Sequence, residues 1–222
     1  MTSHPRPLIS ILAAALLLAA CASSPPPPAW QINARDSLQR AADAYLSGDS
    51  RVAAQESARA RAEVARTGRV DLLARGELMH CAARVASLEL DDCPAYRTLA
   101  QDAAPPEQAY ARYLAGEARP ADAALLPTPQ QALAANPVDP DGALAAIGDP
   151  FSRLVAAGVL LRRGRATAGV IMRAVDTAAE QGWRRPLLAW LQVQQQRARA
   201  LGANEEAARL QRRIDLVLGG GF

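Results

Sequence analysis

The sequence predicts an all-α fold built from antiparallel helical hairpins, and two observations support this prediction. Hydrophobic residues make up 50% of the 222 residues, nearly half of them are alanine, and only 4% of the chain is aromatic. Alanine is the best helix former, whereas residues that favour strands are scarce. Glycines and short polar turns separate amphipathic stretches of helical length near both ends of the chain.

Three long helices are predicted in the first part of the chain, over residues 32–46, 51–66 and 70–88. Gly48 is placed to end the first helix in a left-handed conformation, and Asp49 is placed to cap the second. Because the turns are short, neighbouring helices are expected to be antiparallel.

The middle of the chain is divided by prolines, which limit each helix to two or three turns. Short helices are predicted over 93–101, 106–114, 121–126 and 138–147. The prolines concerned are Pro94, Pro105, Pro106, Pro120, Pro127, Pro129, Pro137, Pro140 and Pro150.

Long helices resume near the end of the chain. Asp149 is the predicted N-cap and Pro150 the first helical residue of the first of them. The predicted ranges are 151–163, 166–181, 185–201 and 204–218, and Gly164, Gly182 and Gly202 end the first three.

This layout resembles the tetratricopeptide-type helical hairpin repeat. The matching positions are Ala41, Tyr45, Gly48, Asp49, Ala53 and Ala60, and Gly202 and Ala207 repeat the spacing of Gly48 and Ala53. The resemblance implies a superhelix of stacked hairpins. A helical bundle without repeats remains the alternative, since any alanine-rich hairpin needs small residues at such offsets.

The chain begins with a short basic stretch and an apolar run over residues 8–20, which is the plan of a secretory signal peptide and is too short to span a bilayer. Leu18-Ala19-Ala20-Cys21 closes the run and resembles the lipobox of bacterial lipoproteins. The resemblance implies cleavage before Cys21 and its acylation with diacylglycerol and a further chain such as palmitate. The alternative is an ordinary signal peptide cut after Ala20 or Ala22.

The expected domain organisation follows from this assignment. Residues 1–20 form the signal peptide, 21–29 the acylated cysteine and a proline-rich tether, and 30–222 a helical periplasmic domain. Within that domain, long hairpins occupy 30–92 and 149–222, and short helices occupy 93–148. By the enterobacterial sorting rule, Ala22 and Ser23 imply the outer membrane. No cofactor is expected beyond the covalent lipid.

Charge is distributed unevenly along the chain, although the net charge is only +3. Residues 30–85 carry 9 arginines and 7 acids, residues 86–150 carry 3 and 10, and residues 151–222 carry 12 and 5. The basic end is a docking surface, or it is the folding partner of the acidic middle, or both segments are simply solvated helix faces. A periplasmic address argues against a nucleic-acid partner.

Cys81 and Cys93 are the thiols of the predicted mature domain. The periplasm is oxidising, so a disulfide is the favoured prediction, with two buried thiols or a redox-active pair as alternatives. A bridge requires the chain to double back through Asp91 and Asp92. A metal site with His80 is not expected, because adjacent helical residues diverge by about 100°. His80 is instead expected to cap a helix or lie at the surface.

The sequence contains none of the enzyme motifs G-x-S-x-G, G-x-G-x-x-G and H-E-x-x-H. The chain has no lysine, which excludes Walker-type phosphate loops, Schiff bases and Ser-Lys dyads. Gly48-Asp49-Ser50 resembles the start of the serine-nucleophile block of one hydrolase family, but it joins two helices and is better explained as a turn and cap. A pair of carboxylates brought together by folding remains open.

Residues 182–190 form the most distinctive stretch of the predicted domain. Trp183, Arg184, Arg185 and Trp190 belong to the residue types most enriched at binding hot spots. They are candidate partner-binding residues. Trp183 and Trp190 lie one heptad apart, so a role in the core is the alternative.

Taken together, these features predict an outer-membrane lipoprotein whose helical domain binds an envelope protein as a scaffold or assembly factor. Two alternatives remain open. One is a carboxylate-dependent enzyme that acts on peptidoglycan or glycan, and the other is a purely structural tether.

Overall fold

The computed structural model describes residues 26–135 and 137–219, and these residues form helices and no strand. The predicted all-α fold is therefore confirmed. The helices are α1 (Ala29–Ser47), α2 (Ser50–Ala65), α3 (Val70–Ala86), α4 (Pro94–Arg97), α5 (Pro105–Leu114), α6 (Thr128–Ala134), α7 (Pro140–Ala145), α8 (Pro150–Arg162), α9 (Ala168–Glu180), α10 (Arg184–Ala200) and α11 (Asn204–Leu218), with 3₁₀ turns at Ala100–Asp102 and Pro120–Leu125.

Local signals set the ends of the long helices as the sequence predicts. Gly48 has φ 98° and follows α1, and the side chain of Asp49 accepts the N–H of Val52 at 3.0 Å to cap α2. Asp149 accepts the N–H of Ser152 at 2.7 Å, and Pro150 is the first residue of α8.

The middle of the chain differs from the prediction at three places. The expected helix over 93–101 divides into α4 and a 3₁₀ turn, and the one over 121–126 is a 3₁₀ turn. Helix α6 was not predicted, although Pro129 falls in its first turn, where its missing N–H costs no helical hydrogen bond.

Helix α3 lies at the centre of the domain and contacts α1, α2, α5 and α8. Its crossing with α8 is very close, because a Cβ atom added at Gly158 would lie 2.4 Å from the carbonyl oxygen of Val85. Helices α9, α10 and α11 pack on one another in sequence, and α10 returns to contact α1. The first hairpin and the last helices therefore share one core.

Some acids of the middle segment contact residues near the end of the chain, through ion pairs or hydrogen bonds. Asp92 lies 3.3 Å from Arg162, and Glu89 lies 3.5 Å from Arg185. Asp141 accepts the hydroxyl of Thr167 at 2.8 Å. These contacts favour the interpretation in which the acidic middle folds against the basic end.

Candidate binding grooves

The predicted acylation site lies outside the described residues, since Cys21 precedes Pro26. Lipid attachment therefore stays a prediction. None of the described helices is both long enough and apolar enough to cross a membrane. The described part of the tether, residues 26–28, is exposed and leads directly into α1.

Trp190 is a core residue, which corrects its candidacy for partner binding. It is fully buried, and its indole Nε1 donates a hydrogen bond to the carbonyl oxygen of Ala86 at 3.0 Å. That carbonyl belongs to the last residue of α3, where helical carbonyls have no partner within the helix. Trp183 is half-buried and packs on the same core.

Arg184 and Arg185 begin α10 and both hold distant parts of the domain together. Arg184 donates to the carbonyl oxygens of Val217 and Leu218, both at 3.1 Å, and so caps the end of α11. Arg185 donates from Nε to the carbonyl oxygen of Tyr45 at 2.8 Å. Partner binding through Trp183, Arg184 and Arg185 stays a prediction.

Arg185 also fixes the aromatic ring of Tyr45. Its guanidinium lies 4.2 Å from the ring centroid, and its Nη2 donates to the hydroxyl of Ser50 at 2.7 Å. Burial raises the pKa of the Tyr45 hydroxyl, and the nearby Glu89 carboxylate adds to the effect. The phenol is therefore neutral at physiological pH.

The structure joins Cys81 and Cys93 in a disulfide, with Cα atoms 5.5 Å apart. Helix α3 ends at Ala86, earlier than predicted, because Leu88 takes a left-handed φ of 62° and Glu89 donates to the carbonyl oxygen of Arg84. The chain then turns back, with φ 49° at Cys93. This reversal brings the second sulfur beside α3.

The acidic residues near the disulfide do not form a separate metal cluster. In the described part of the chain, the ligand atoms of Cys81, Asp91 and Cys93 lie within 4.8 Å of one another. The S–S bond removes both sulfurs as thiolate ligands. Asp91 forms an ion pair with Arg84.

A groove of about 390 Å³ opens between α1, α2 and α3, and we call it the hairpin groove. Its walls are small or aliphatic side chains with a few polar groups at the edges. They include Leu38, Ala53, Ala54, Ala60, Val64, Leu72, Leu73 and Gly76, together with Tyr45, Ser50, Ser57, Arg61, Glu77, His80 and Ala95. Its one acidic residue, Glu77, is ion-paired with Arg61.

His80 lines the open hairpin groove, so the expectation of a capping or surface histidine is met only in part. It is half-buried, and its ring meets the edge of the Tyr45 ring with centroids 5.4 Å apart. Burial lowers the pKa of His80, and the positive charge of Arg84 lowers it further. A neutral imidazole therefore faces the groove at pH 7.

Another groove, of about 410 Å³, lies beside the disulfide, and its lining includes Asp91, Asp92, Cys93, Arg112 and Glu117. Two of its carboxylates are already paired, Asp91 with Arg84 and Asp92 with Arg162. Glycoside hydrolysis needs one carboxyl group held as an acid opposite a second carboxylate. Ion pairing engages both aspartates in the same way, so the geometry does not set one of them apart as the acid.

No family model, curated protein or solved structure matches this chain.

Proposed function

We propose that this chain is a lipoprotein anchored in the outer membrane through Cys21, and that its periplasmic domain binds an apolar helical segment of an envelope protein in the hairpin groove. The supporting observation is the composition of that groove. Small and aliphatic side chains line about 390 Å³, and the single carboxylate among them is paired with Arg61. This lining suits binding more than catalysis.

A helix is the proposed form of the bound segment because small side chains allow a close approach. Ala54 and Ser57 line the wall from α2 and Gly76 lines the wall from α3, and all three remain at least partly exposed. The lining stretch of α3 from Leu72 to His80 spans eight residue steps, or about 12 Å, which accommodates roughly two turns of a partner helix. The tetratricopeptide-like resemblance of the first hairpin is consistent with this mode.

The two alternatives receive less support. Two of the three carboxylates that line the groove beside the disulfide, Asp91 and Asp92, are engaged by arginines, and the hairpin groove holds no second acid with which Glu77 could act. A purely structural tether would have no need of an open apolar groove. We therefore retain protein binding as the function that the geometry supports best.

Site-specific photo-crosslinking in live cells tests this proposal with a matched pair of positions. Ala54 and Ala58 are both exposed alanines of α2, but only Ala54 lines the hairpin groove. A photoreactive residue at position 54 should capture one discrete envelope protein, whereas the same residue at position 58 should not. With the photoreactive residue moved to position 73, Ala54→Arg should abolish the crosslinked complex and Ala58→Arg should leave it intact.

Membrane fractionation of Cys21→Ser tests the anchor separately. The variant should leave the membrane fraction while keeping its fold. Equal capture from positions 54 and 58, or no capture from position 54 in membrane-bound protein, would contradict the binding proposal. Unchanged fractionation of Cys21→Ser would contradict the anchor alone.

A further inference from the structure

A further groove, of about 460 Å³, lies on the side of α3 opposite the hairpin groove, and we call it the Glu107 groove. Its walls come from α3, α5, α8 and the turn before α6. They are mostly apolar or aromatic and include Leu78, Met79, Tyr110, Leu126 and Phe151. A mostly apolar site of this volume with a few polar groups falls within the range that holds small molecules.

The polar feature of this groove is an incompletely paired carboxylate. Glu107 is only 4% exposed, and its Oε1 accepts from Nε and Nη2 of Arg75 at 2.8 and 2.7 Å. Its other oxygen, Oε2, is buried and has no hydrogen-bond partner. A buried carboxylate oxygen is costly to leave unpaired, so the site is suited to receiving a donor.

Sequence and fold explain why the carboxylate is there. Pro105 and Pro106 start α5 and place Glu107 in its first turn, where a negative charge is favoured by the helix dipole. Arg75 reaches it from α3 but remains 65% exposed, so its side chain is free to shift when a ligand enters. Both bonds from Arg75 go to Oε1, which leaves Oε2 without a donor.

The aromatic walls add a preference for positive charge. Tyr110 stacks on Tyr113 with centroids 6.1 Å apart, and Phe151 lies at the start of α8 across the groove. Burial and the neighbouring Asp149 carboxylate raise the pKa of Tyr110, which keeps the phenol neutral. Aromatic faces attract cations, and a desolvated carboxylate beside them strengthens the attraction.

We propose that the Glu107 groove binds a small apolar amine, with its ammonium group donating to Oε2 of Glu107 and its hydrocarbon body held between Tyr110 and Phe151. The proposal does not rest on the function proposed for the hairpin groove, because the two grooves use opposite sides of α3. Helix α3 supplies Arg75, Leu78 and Met79 here, and it supplies other residues there.

Three probes of matched shape test the proposal: phenethylamine, phenethyl alcohol and 3-phenylpropanoate. They carry an ammonium, a hydroxyl and a carboxylate on the same phenylethyl body. Both probes would donate to the carboxylate, but only the ammonium adds charge–charge and cation–π attraction, so phenethylamine should bind about tenfold more tightly than the alcohol. The carboxylate should bind most weakly of the three.

The chain provides its own reporter for this titration. It has three methionines, of which Met1 lies in the expected signal peptide, Met79 lines the Glu107 groove and Met172 is exposed elsewhere. In full-length acylated protein held in lipid nanodiscs with ¹³C-methyl methionine, the Met79 signal should shift with the amine. The Met172 signal should not shift, which controls for partition of the probe into lipid.

Glu107→Gln keeps the size of the side chain and removes its charge. This variant should lose the roughly tenfold preference for amine over alcohol while binding the alcohol within about twofold of the wild type. If the variant fails to fold, the order of affinities of the three probes for the wild-type protein still tests the proposal. Binding of 3-phenylpropanoate as tight as that of phenethylamine, or equal shifts at Met79 and Met172, would overturn the proposal.

Discussion

Gly158 lies within α8 at its closest approach to α3, and replacing it with alanine provides a sharp test of the packing. The added Cβ would lie 2.4 Å from the carbonyl oxygen of Val85 and 2.9 Å from its Cγ1. The backbone oxygen belongs to a central helix and has little freedom to move. Overpacking of this kind costs about 3 kcal/mol at the upper end of its usual range.

Part of that cost is offset because alanine favours the helix over glycine by about 1 kcal/mol. We therefore expect Gly158→Ala to lower the free energy of unfolding by about 2 kcal/mol. For a domain of this size the Tm should fall by about 4–8 °C. Circular dichroism during thermal and urea unfolding measures both quantities.

Gly76→Ala is the matched control, since Gly76 also lies inside a helix. Its added Cβ would meet Leu38 Cδ2 at 3.5 Å, an ordinary contact distance. This variant should be stabilised by about 0.5–1 kcal/mol, as expected where alanine fits the native backbone. If Gly158→Ala were as stable as Gly76→Ala, the described contact between α3 and α8 would be wrong.

Two further predictions concern the disulfide and a buried carboxylate. The double variant Cys81→Ser/Cys93→Ser should lose about 3 kcal/mol of stability by the loop-entropy relation, and its stability should no longer depend on reductant. Two titratable thiols in the denatured, unreduced wild-type protein would contradict the disulfide. Arg112 lowers the pKa of the Asp122 carboxyl well below its usual range. This pair should therefore stabilise the fold when the pH is above the unfolded-state pKa of about 3.9, and the stabilisation should be lost as the pH falls below that value. Asp122→Asn should accordingly lower the urea midpoint at pH 7. It should also narrow the difference between the urea midpoints at pH 7 and pH 3, and an unchanged difference would show that Asp122 does not contribute to the pH dependence of stability.

The long helices were predictable because the signals that define them are local. Asp49 and Asp149 cap the helices that follow them, and Gly48 ends α1, each within a few residues of the feature it controls. Helix α6 was missed because two prolines flank its first residue, Thr128, and prolines usually mark a break. A proline can mark either a break in the chain or the first turn of a helix. Only the packing of Leu133 and Ala134 distinguishes the two cases here.

The contacts that define the grooves were not predictable, because their partners are far apart in sequence. Arg75 and Glu107 are 32 residues apart, and no motif links them. Trp190 illustrates the same difficulty, since its spacing to Trp183 allowed both a core and a surface role. Only its contact with Ala86, 104 residues away, distinguishes the two roles.

The contact between Arg185 and Tyr45 joins residues 140 positions apart, which affects the order in which the domain folds. Closure of so long a loop is expected late in folding, after the local hairpins have formed. Tyr45 also lines the hairpin groove, so the groove reaches its final shape only when α10 docks. A chain shortened before residue 184 would lack the arginine that holds Tyr45, so this wall of the hairpin groove would stay incomplete until α10 is present.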